Sequence, residues 1–194
     1  MALRLIHTAD WQLGKPFGNF PADLAGELTA ARLDAIDRIG DVARDKDAAI
    51  VVVAGDVFDS PDLPAQTIRR ALERMAARAH VSWMLLPGNH DPARAGGIWD
   101  RVARYGTPGN VRVLTAPEPV TLTEDAVLLP APLRNDSPGE DPSLWMDSAA
   151  TPAGVMRIGL AHGPVLGFGS EGKSVVTIAQ SRAESAGLSY LALG

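Results

Sequence analysis

The sequence predicts an α/β protein in which buried strands alternate with helical crossovers, and three observations predict it. Short apolar runs alternate with stretches whose apolar residues recur every three to four positions. The clearest run, residues 48–54, reads Ala-Ala-Ile-Val-Val-Val-Ala, apolar throughout, as a strand buried on both faces must be. Four such runs end abruptly in polar residues, and in open α/β sheets the carboxyl ends of the strands are where sites are built.

Residues 2–9 read as the first strand, with Leu3, Leu5 and His7 on alternate positions, and it runs into Asp10-Trp11-Gln12. Residues 13–20 form a loop with two glycines, Lys15, Pro16 and two phenylalanines. Pro21 opens a helix to about residue 45, with Leu28, Ala31, Ala35, Ile39 and Val42 on one stripe. Its charges, Arg32, Asp34, Asp37, Arg38 and Asp41, are expected to form a solvated face.

The strand at 48–54 ends in Gly55-Asp56-Val57-Phe58-Asp59. Residues 60–64 are a turn and helix start, and the helix continues to about residue 79 with Ile68, Leu72, Met75 and Ala76 inward. Arg69, Arg70, Arg74 and Arg78 on its outer side are expected to serve solubility. A third strand, Trp83-Met84-Leu85-Leu86, stops at Pro87-Gly88-Asn89-His90-Asp91. A shorter helix at about 97–105 carries Arg101 and Arg104 near that loop.

From Val111 the runs shorten (111–114, 120–122 and 126–129) and prolines and charges separate them, which predicts an antiparallel portion. The polar stretch 135–142 is the best hinge candidate. Residues 155–161 form a strand ending in His162-Gly163, and residues 188–193 form one ending in Gly194.

Composition narrows the function classes. The chain has 194 residues, enough for one domain, and 46% are hydrophobic, ample for a core. A net charge of −5 gives no global positive field toward a polyanion, so positive charge at a nucleic-acid site has to come from metal ions or a local arginine patch. With no cysteine the protein uses neither disulfides nor a thiolate metal site, which suits a cytoplasmic protein. No apolar run approaches membrane-spanning length, so no membrane association is expected.

Asp10, Asp56, Asn89-His90 and His162 are far apart in sequence, yet each stands at a strand exit. Helical crossovers within one layer bring such exits to one rim. Two carboxylates, an amide oxygen and an imidazole, with Gln12, make a mixed oxygen and nitrogen shell suited to divalent Mn, Fe, Zn or Mg. Two ions about 4 Å apart and bridged by a carboxylate would clamp both oxygens of a phosphoryl displacement. His90 offers a proton donor and Asp91 an acceptor that could fix its tautomer.

Ile6-His7-Thr8-Ala9-Asp10-Trp11-Gln12-Leu13-Gly14, Gly55-Asp56-Val57-Phe58-Asp59, Gly88-Asn89-His90-Asp91 and Leu160-Ala161-His162-Gly163 together resemble the motifs of the calcineurin-like metallophosphoesterases, and within them the SbcD-like DNA-repair exonuclease branch. The resemblance implies two packed mixed β-sheets flanked by helices. It implies that Asp10 holds the first metal, Asp56 bridges both, and Asn89 and His162 hold the second. It further implies that His90 assists the leaving group with Asp91 orienting it, while Asp59 stands behind the ligands. Two divalent ions are implied, manganese foremost, with iron, zinc or magnesium as alternatives. DNA and an SbcC-like ATPase are the implied partners, with a homodimer in the full-length protein.

Two departures from that family pattern carry consequences. The family has histidine where this chain has Gln12, so the first metal is expected to be held more weakly or to be a harder ion. The family's last metal-binding histidine motif would follow Gly194, so residues 1–194 are expected to form a phosphoesterase domain that ends before it.

Residues 167–174 match the Walker A pattern literally, but a P-loop needs a strand before the first glycine and a helix at the lysine. Here His162-Gly163-Pro164 precedes and Val175-Val176-Thr177 follows, so a substrate-side loop is expected instead. His7 is expected to be packed or to stand behind the ligands, and His80 to lie on the surface. Trp11 and Phe17 are candidates both for stacking bases and for packing in the core or loop. The leading function is a metal-dependent phosphodiesterase acting on DNA. The alternatives are a small-substrate phosphoesterase, for a nucleotide or phosphomonoester, and a non-catalytic scaffold.

Overall fold

A computed structural model describes residues 3–135, 139–167 and 177–194. Its two four-stranded sheets are formed by consecutive halves of the chain. The first contains β1 (Leu5–Thr8), β2 (Ile50–Val53), β3 (Ser82–Leu85) and β4 (Val111–Val113), in that order and all parallel. The crossovers are α1 (Ala22–Asp45), α2 (Ala65–Ala77) and α3 (Ile98–Tyr105). The second sheet contains β5 (Val120–Thr123), β6 (Ala126–Ala131), β7 (Met156–Ala161) and β8 (Tyr190–Leu193). There β5 and β6 are antiparallel, while β6, β7 and β8 run parallel. A 3-10 turn (Leu144–Ser148) and the short α4 (Arg182–Ser185) lie in its crossovers.

The period-two geometry of a strand divides the apolar run of β2 between two cores. Val51 and Val53 pack with Trp83, Leu85 and the inner faces of α1, α2 and α3. Ile50, Val52 and Ala54 instead meet Leu128, Ile158, Leu160 and Ala192 of the second sheet. A third cluster, with Val127, Leu129, Met146 and Ile178, closes the outer face of that sheet. The sheets therefore pack face to face, as the expected fold requires.

Several expectations about elements are corrected. The segment from Val111 is antiparallel only at the β5–β6 hairpin, because β4 joins β3 in parallel after the α3 crossover. Prolines and short runs report turns, and they do not report strand direction. On α1 the buried line is Ile36, Gly40 and Ala43, while Val42, expected inward, is 47% exposed. The line passes through small residues because α2 lies close: a Cβ at Gly40 would stand 2.8 Å from Arg78 Cγ. On α2, Ala71 is buried with Ile68, Leu72 and Met75, and Ala76 is exposed.

The charges on these two helices also differ from expectation. Arg74 bonds Asp34 at 2.7 Å and also Asp37, and Arg78 reaches Asp37 at 3.2 Å and Asp41 at 3.6 Å. Arg74 and Arg78 thus tie α2 to α1 and are not simply solubilising. Arg101 donates to the carbonyls of Pro61 and Leu63 and braces the turn after β2.

The edges of β1 and β8 border a groove of about 750 Å³, lined among others by Leu3, Leu5, His7, Met156, Ile158 and Tyr190. Of the stretch 135–142, residues 136–138 lie outside the described residues. Asp141 accepts bonds from the Ser143 amide and hydroxyl and pairs with Arg182 at 3.0 Å. Of the Walker-like stretch, residues 168–174 lie outside the described residues. Among the described residues, no helix is long and apolar enough to cross a membrane.

Candidate metal centre

The loops leaving β1 and β2 continue side by side past the strand ends. Asp10 N donates to Gly55 O at 3.1 Å, Gln12 N to Asp56 O at 2.8 Å, and Leu13 N to Val57 O at 2.9 Å. This ladder holds Asp10 beside Asp56 although 46 positions separate them in the chain. It also demands left-handed backbone at Asp10 (φ 54°), Gln12 (φ 43°) and Asp56 (φ 52°). Each costs about 1–3 kcal/mol outside glycine, and such strain gathers where function fixes the chain.

Two glycines make room for the cluster. A Cβ at Gly88 would stand 2.2 Å from Asp56 Oδ1, and one at Gly55 would stand 2.3 Å from His162 Cγ. These residues are legible in the motifs as letters, but the contacts that require glycine appear only in three dimensions.

The ligand-type atoms of Asp10, Asp56 and His162 lie within 4.8 Å of one another. Asn89 joins them through Oδ1, 2.9 Å from His162 Nε2. Asp56 and His162 are buried and Asp10 is exposed. His162 Nδ1 donates to the Ala54 carbonyl at 2.9 Å, a bond that can only be made with the proton on Nδ1. In the neutral ring Nε2 then presents a lone pair to Asn89 Oδ1 and, at 3.4 Å, to Asp56 Oδ1. In this orientation of the Asn89 amide three electron-pair donors face one another, an arrangement that a cation between them, a proton or a metal ion, would satisfy. A ring held from behind by a backbone carbonyl is the usual arrangement of a metal-ligating histidine.

Electrostatics in the protein agree with this geometry. Burial pulls the His162 imidazole down, but the bond to Asp56, the Asp56 charge, the Ala54 carbonyl and Asp10 together hold its pKa above the ordinary value. Burial likewise opposes the charge of Asp56, yet His162 and the His90 amide, which donates at 3.0 Å, hold its carboxyl below the usual range. The two shifts run in the directions that favour the charged forms of both partners, and a metal ion binding at Nε2 needs that nitrogen unprotonated.

His90 is 40% exposed at its side chain, with Nε2 3.9 Å from Asp56 Oδ2. Its Nδ1 donates to the Asp59 carbonyl at 2.9 Å, and the Asp59 carboxylate lies 3.9 Å from the same nitrogen. Asp59 therefore stands behind His90. The expectation that Asp91 orients this ring is corrected. Asp91 is wholly buried and accepts from Phe58 N at 2.9 Å and Gly88 N at 2.7 Å, so it shapes the β2 and β3 exit loops. Burial pushes its carboxyl up to about 8, against those two donors.

The remaining expected residues are placed as follows. Gln12 is near the cluster through its backbone, but its Oε1 accepts from Lys15 Nζ at 2.5 Å. His7 points into the groove beside β8, bonded to the Tyr190 hydroxyl at 2.9 Å, away from the cluster. Trp11 is 7% exposed and edge-on to Trp83, which leaves no face for a base. Phe17 is half-buried beneath the Arg32 guanidinium. His80 is exposed and bonds the Gly40 carbonyl. Sequence reasoning missed two participants. The Ala54 carbonyl carries no side-chain signal, whereas Lys15 stands in plain view three residues beyond Gln12.

The sequence profile of the Calcineurin-like phosphoesterase family matches residues 3–177. The chain belongs to that family, whose members are metal-dependent phosphoesterases. A stretch of 93 residues is 31% identical to the SbcD component of the nuclease SbcCD from Bacillus subtilis (strain 168). Over 105 residues it is 33% identical to the same component from Rhodobacter capsulatus. The first match covers 46% of this chain and the second 47%, and each spans only 22% of the relative.

Proposed function

We propose that the chain is the catalytic domain of a metal-dependent phosphodiesterase that cleaves DNA in the cytoplasm, as the nuclease component of a complex with an SbcC-like ATPase. The observation that carries the metal chemistry is the meeting of His162 Nε2, Asn89 Oδ1 and Asp56 Oδ1 at 2.9–3.4 Å with the ring anchored from behind. The DNA substrate and the ATPase partner are supported by the two similar nuclease components, and a homodimer is carried with them as a feature of the whole protein.

Asp56, Asn89 and His162 would hold one ion, and Asp10, Asp56 and Gln12 the other, with Asp56 shared. Their oxygen and nitrogen donors fit Mn, Fe, Zn or Mg, with manganese first. When bound, the ions supply charge neutralisation for the phosphoryl group and an activated water. The protein's own groups do the remaining work. Asp56 keeps its negative charge under burial, and Ala54 fixes the His162 ring. His90 holds a proton at Nε2 once its ring is charged, because Nδ1–H is committed to the Asp59 carbonyl. With the Asp59 carboxylate 3.9 Å from Nδ1 and the Asp56 carboxylate 3.9 Å from Nε2, a proton carried on Nε2 would be the one delivered to the departing oxygen.

The test is hydrolysis of single-stranded DNA, bis(p-nitrophenyl) phosphate and a nucleotide panel, each with MnCl2 and with EDTA. Manganese-dependent cleavage of DNA and of the diester is expected. Cleavage confined to nucleotides or monoesters would establish the small-substrate reading, and metal binding without any hydrolysis would establish the scaffold.

A further inference from the structure

We propose that Lys15 is a built-in competitor for the first metal ion: its ammonium occupies the Gln12 amide oxygen and makes the first site a weak, readily exchanging one beside a tighter second site. The inference rests on the proposed metal chemistry and deepens it.

Gln12 has one atom able to ligate a divalent ion, Oε1, and Lys15 Nζ lies 2.5 Å from it. The pair is built into the loop. Lys15 N donates to Gln12 O at 3.1 Å, closing a turn that brings the two side chains together. Gln12 itself is pinned by its amide to Asp56 O and by Arg32 Nη1 to its carbonyl at 3.4 Å, and its backbone is left-handed at φ 43°. Both side chains belong to half-buried residues, so water screens the contact incompletely.

A metal entering between Asp10 and Asp56 would meet in Gln12 an oxygen already engaged in a charge-assisted bond, and would either share that oxygen with the ammonium or displace it. It would also bring a second positive charge next to the first. Around the second site the corresponding neutral oxygen, Asn89 Oδ1, faces His162 Nε2 at 2.9 Å, and among the described residues no lysine ammonium bonds it. The two sites should therefore differ in affinity because of a side chain that ligates neither ion. Lys15 acts through Gln12 and is a positioning residue, not a catalytic one.

The experiment is a titration of the full chain with MnCl2, read by the free-manganese EPR signal and by calorimetry. It compares wild type, Lys15→Met, Gln12→Ala and the double variant, with Lys15→Gln as a second removal of the ammonium. Wild type should show one tight ion per chain and a second at least about tenfold weaker. Lys15→Met and Lys15→Gln should tighten the weak ion by about tenfold or more, the scale of one hydrogen bond to a charged group, and leave the tight ion within about twofold. In the Gln12→Ala background removal of Lys15 should change little, because the oxygen it guards is gone. Equal tightening in both backgrounds would overturn the inference and assign the effect to overall charge. Two equally tight ions in wild type would overturn it while leaving the phosphoesterase reading standing. No manganese binding in any variant would overturn both.

Discussion

The Nδ1 proton of His162 is held by the carbonyl oxygen of Ala54 at 2.9 Å, and the residue after Ala54 has no room for a side chain. A methyl group at Gly55 would lie 2.3 Å from His162 Cγ, at a backbone φ of 86° that alanine rarely adopts. Gly55→Ala should therefore displace the ring and strain the loop at once. A loss of about 1–3 kcal/mol in urea unfolding is expected, together with weaker manganese binding. A variant with wild-type stability and wild-type metal affinity would show that the ring position is not fixed by this contact.

Mutation should separate the groups that hold metal from the group that moves a proton. Asp56→Asn removes the charge shared by both ions and should abolish manganese binding and hydrolysis together. His90→Ala should leave manganese stoichiometry unchanged while kcat on bis(p-nitrophenyl) phosphate falls by about 10²-fold or more. Parallel loss of metal in both variants would contradict the division of roles.

Asp91 is a structural acid in a functional motif. Its removal in Asp91→Ala leaves the Phe58 and Gly88 amides without acceptors in a wholly buried position. Each orphaned donor costs about 1–3 kcal/mol, so a large drop in Tm is expected even without metal. Wild-type Tm with reduced activity would instead place Asp91 in the chemistry.

The second sheet carries a separate acid-sensitive contact. Arg182 is 4% exposed and bonds Asp141 and Asp147. The Arg182 bond first of all holds the Asp147 carboxyl below its ordinary 3.8. A carboxyl depressed on folding contributes stability that is present above the unfolded pKa and lost as pH falls through the folded one. The Tm difference between wild type and Asp147→Asn should thus be present at neutral pH and shrink on acidification below about 4. A difference independent of pH would show that the pair contributes packing alone.

Much of this arrangement is legible in the sequence because strand exits announce themselves. The apolar run before Gly55 reads as a buried strand, and the parallel crossovers bring Asp10, Asp56 and Asn89 to one rim, whereas His162 reaches it from the end of β7 in the facing sheet, which strand exits alone do not reveal. Parts that depend on close approach are not legible. Gly40 and Ala43 mark the α1–α2 contact by being small, and hydropathy patterning passes over them. The direction of β4 follows from the crossover before it, which proline-rich turns conceal. Adjacent letters also mislead: Asp91 follows His90 in the chain, yet the ring turns to Asp59, 31 positions earlier. Gln12 reads as a free ligand because a sequence does not show that Lys15 folds back onto its oxygen.

Asp10, Asp56, Asn89 and His162 are proposed to form a metal centre. Crystals of the protein grown with MnCl2 and measured for manganese anomalous scattering test it most directly. The expected result is a strong peak within bonding distance of Asp56, Asn89 Oδ1 and His162 Nε2, with any second peak, between Asp10 and Asp56, weaker. Manganese peaks elsewhere, with His162 Nε2 still against Asn89 and no density between them, would contradict the account.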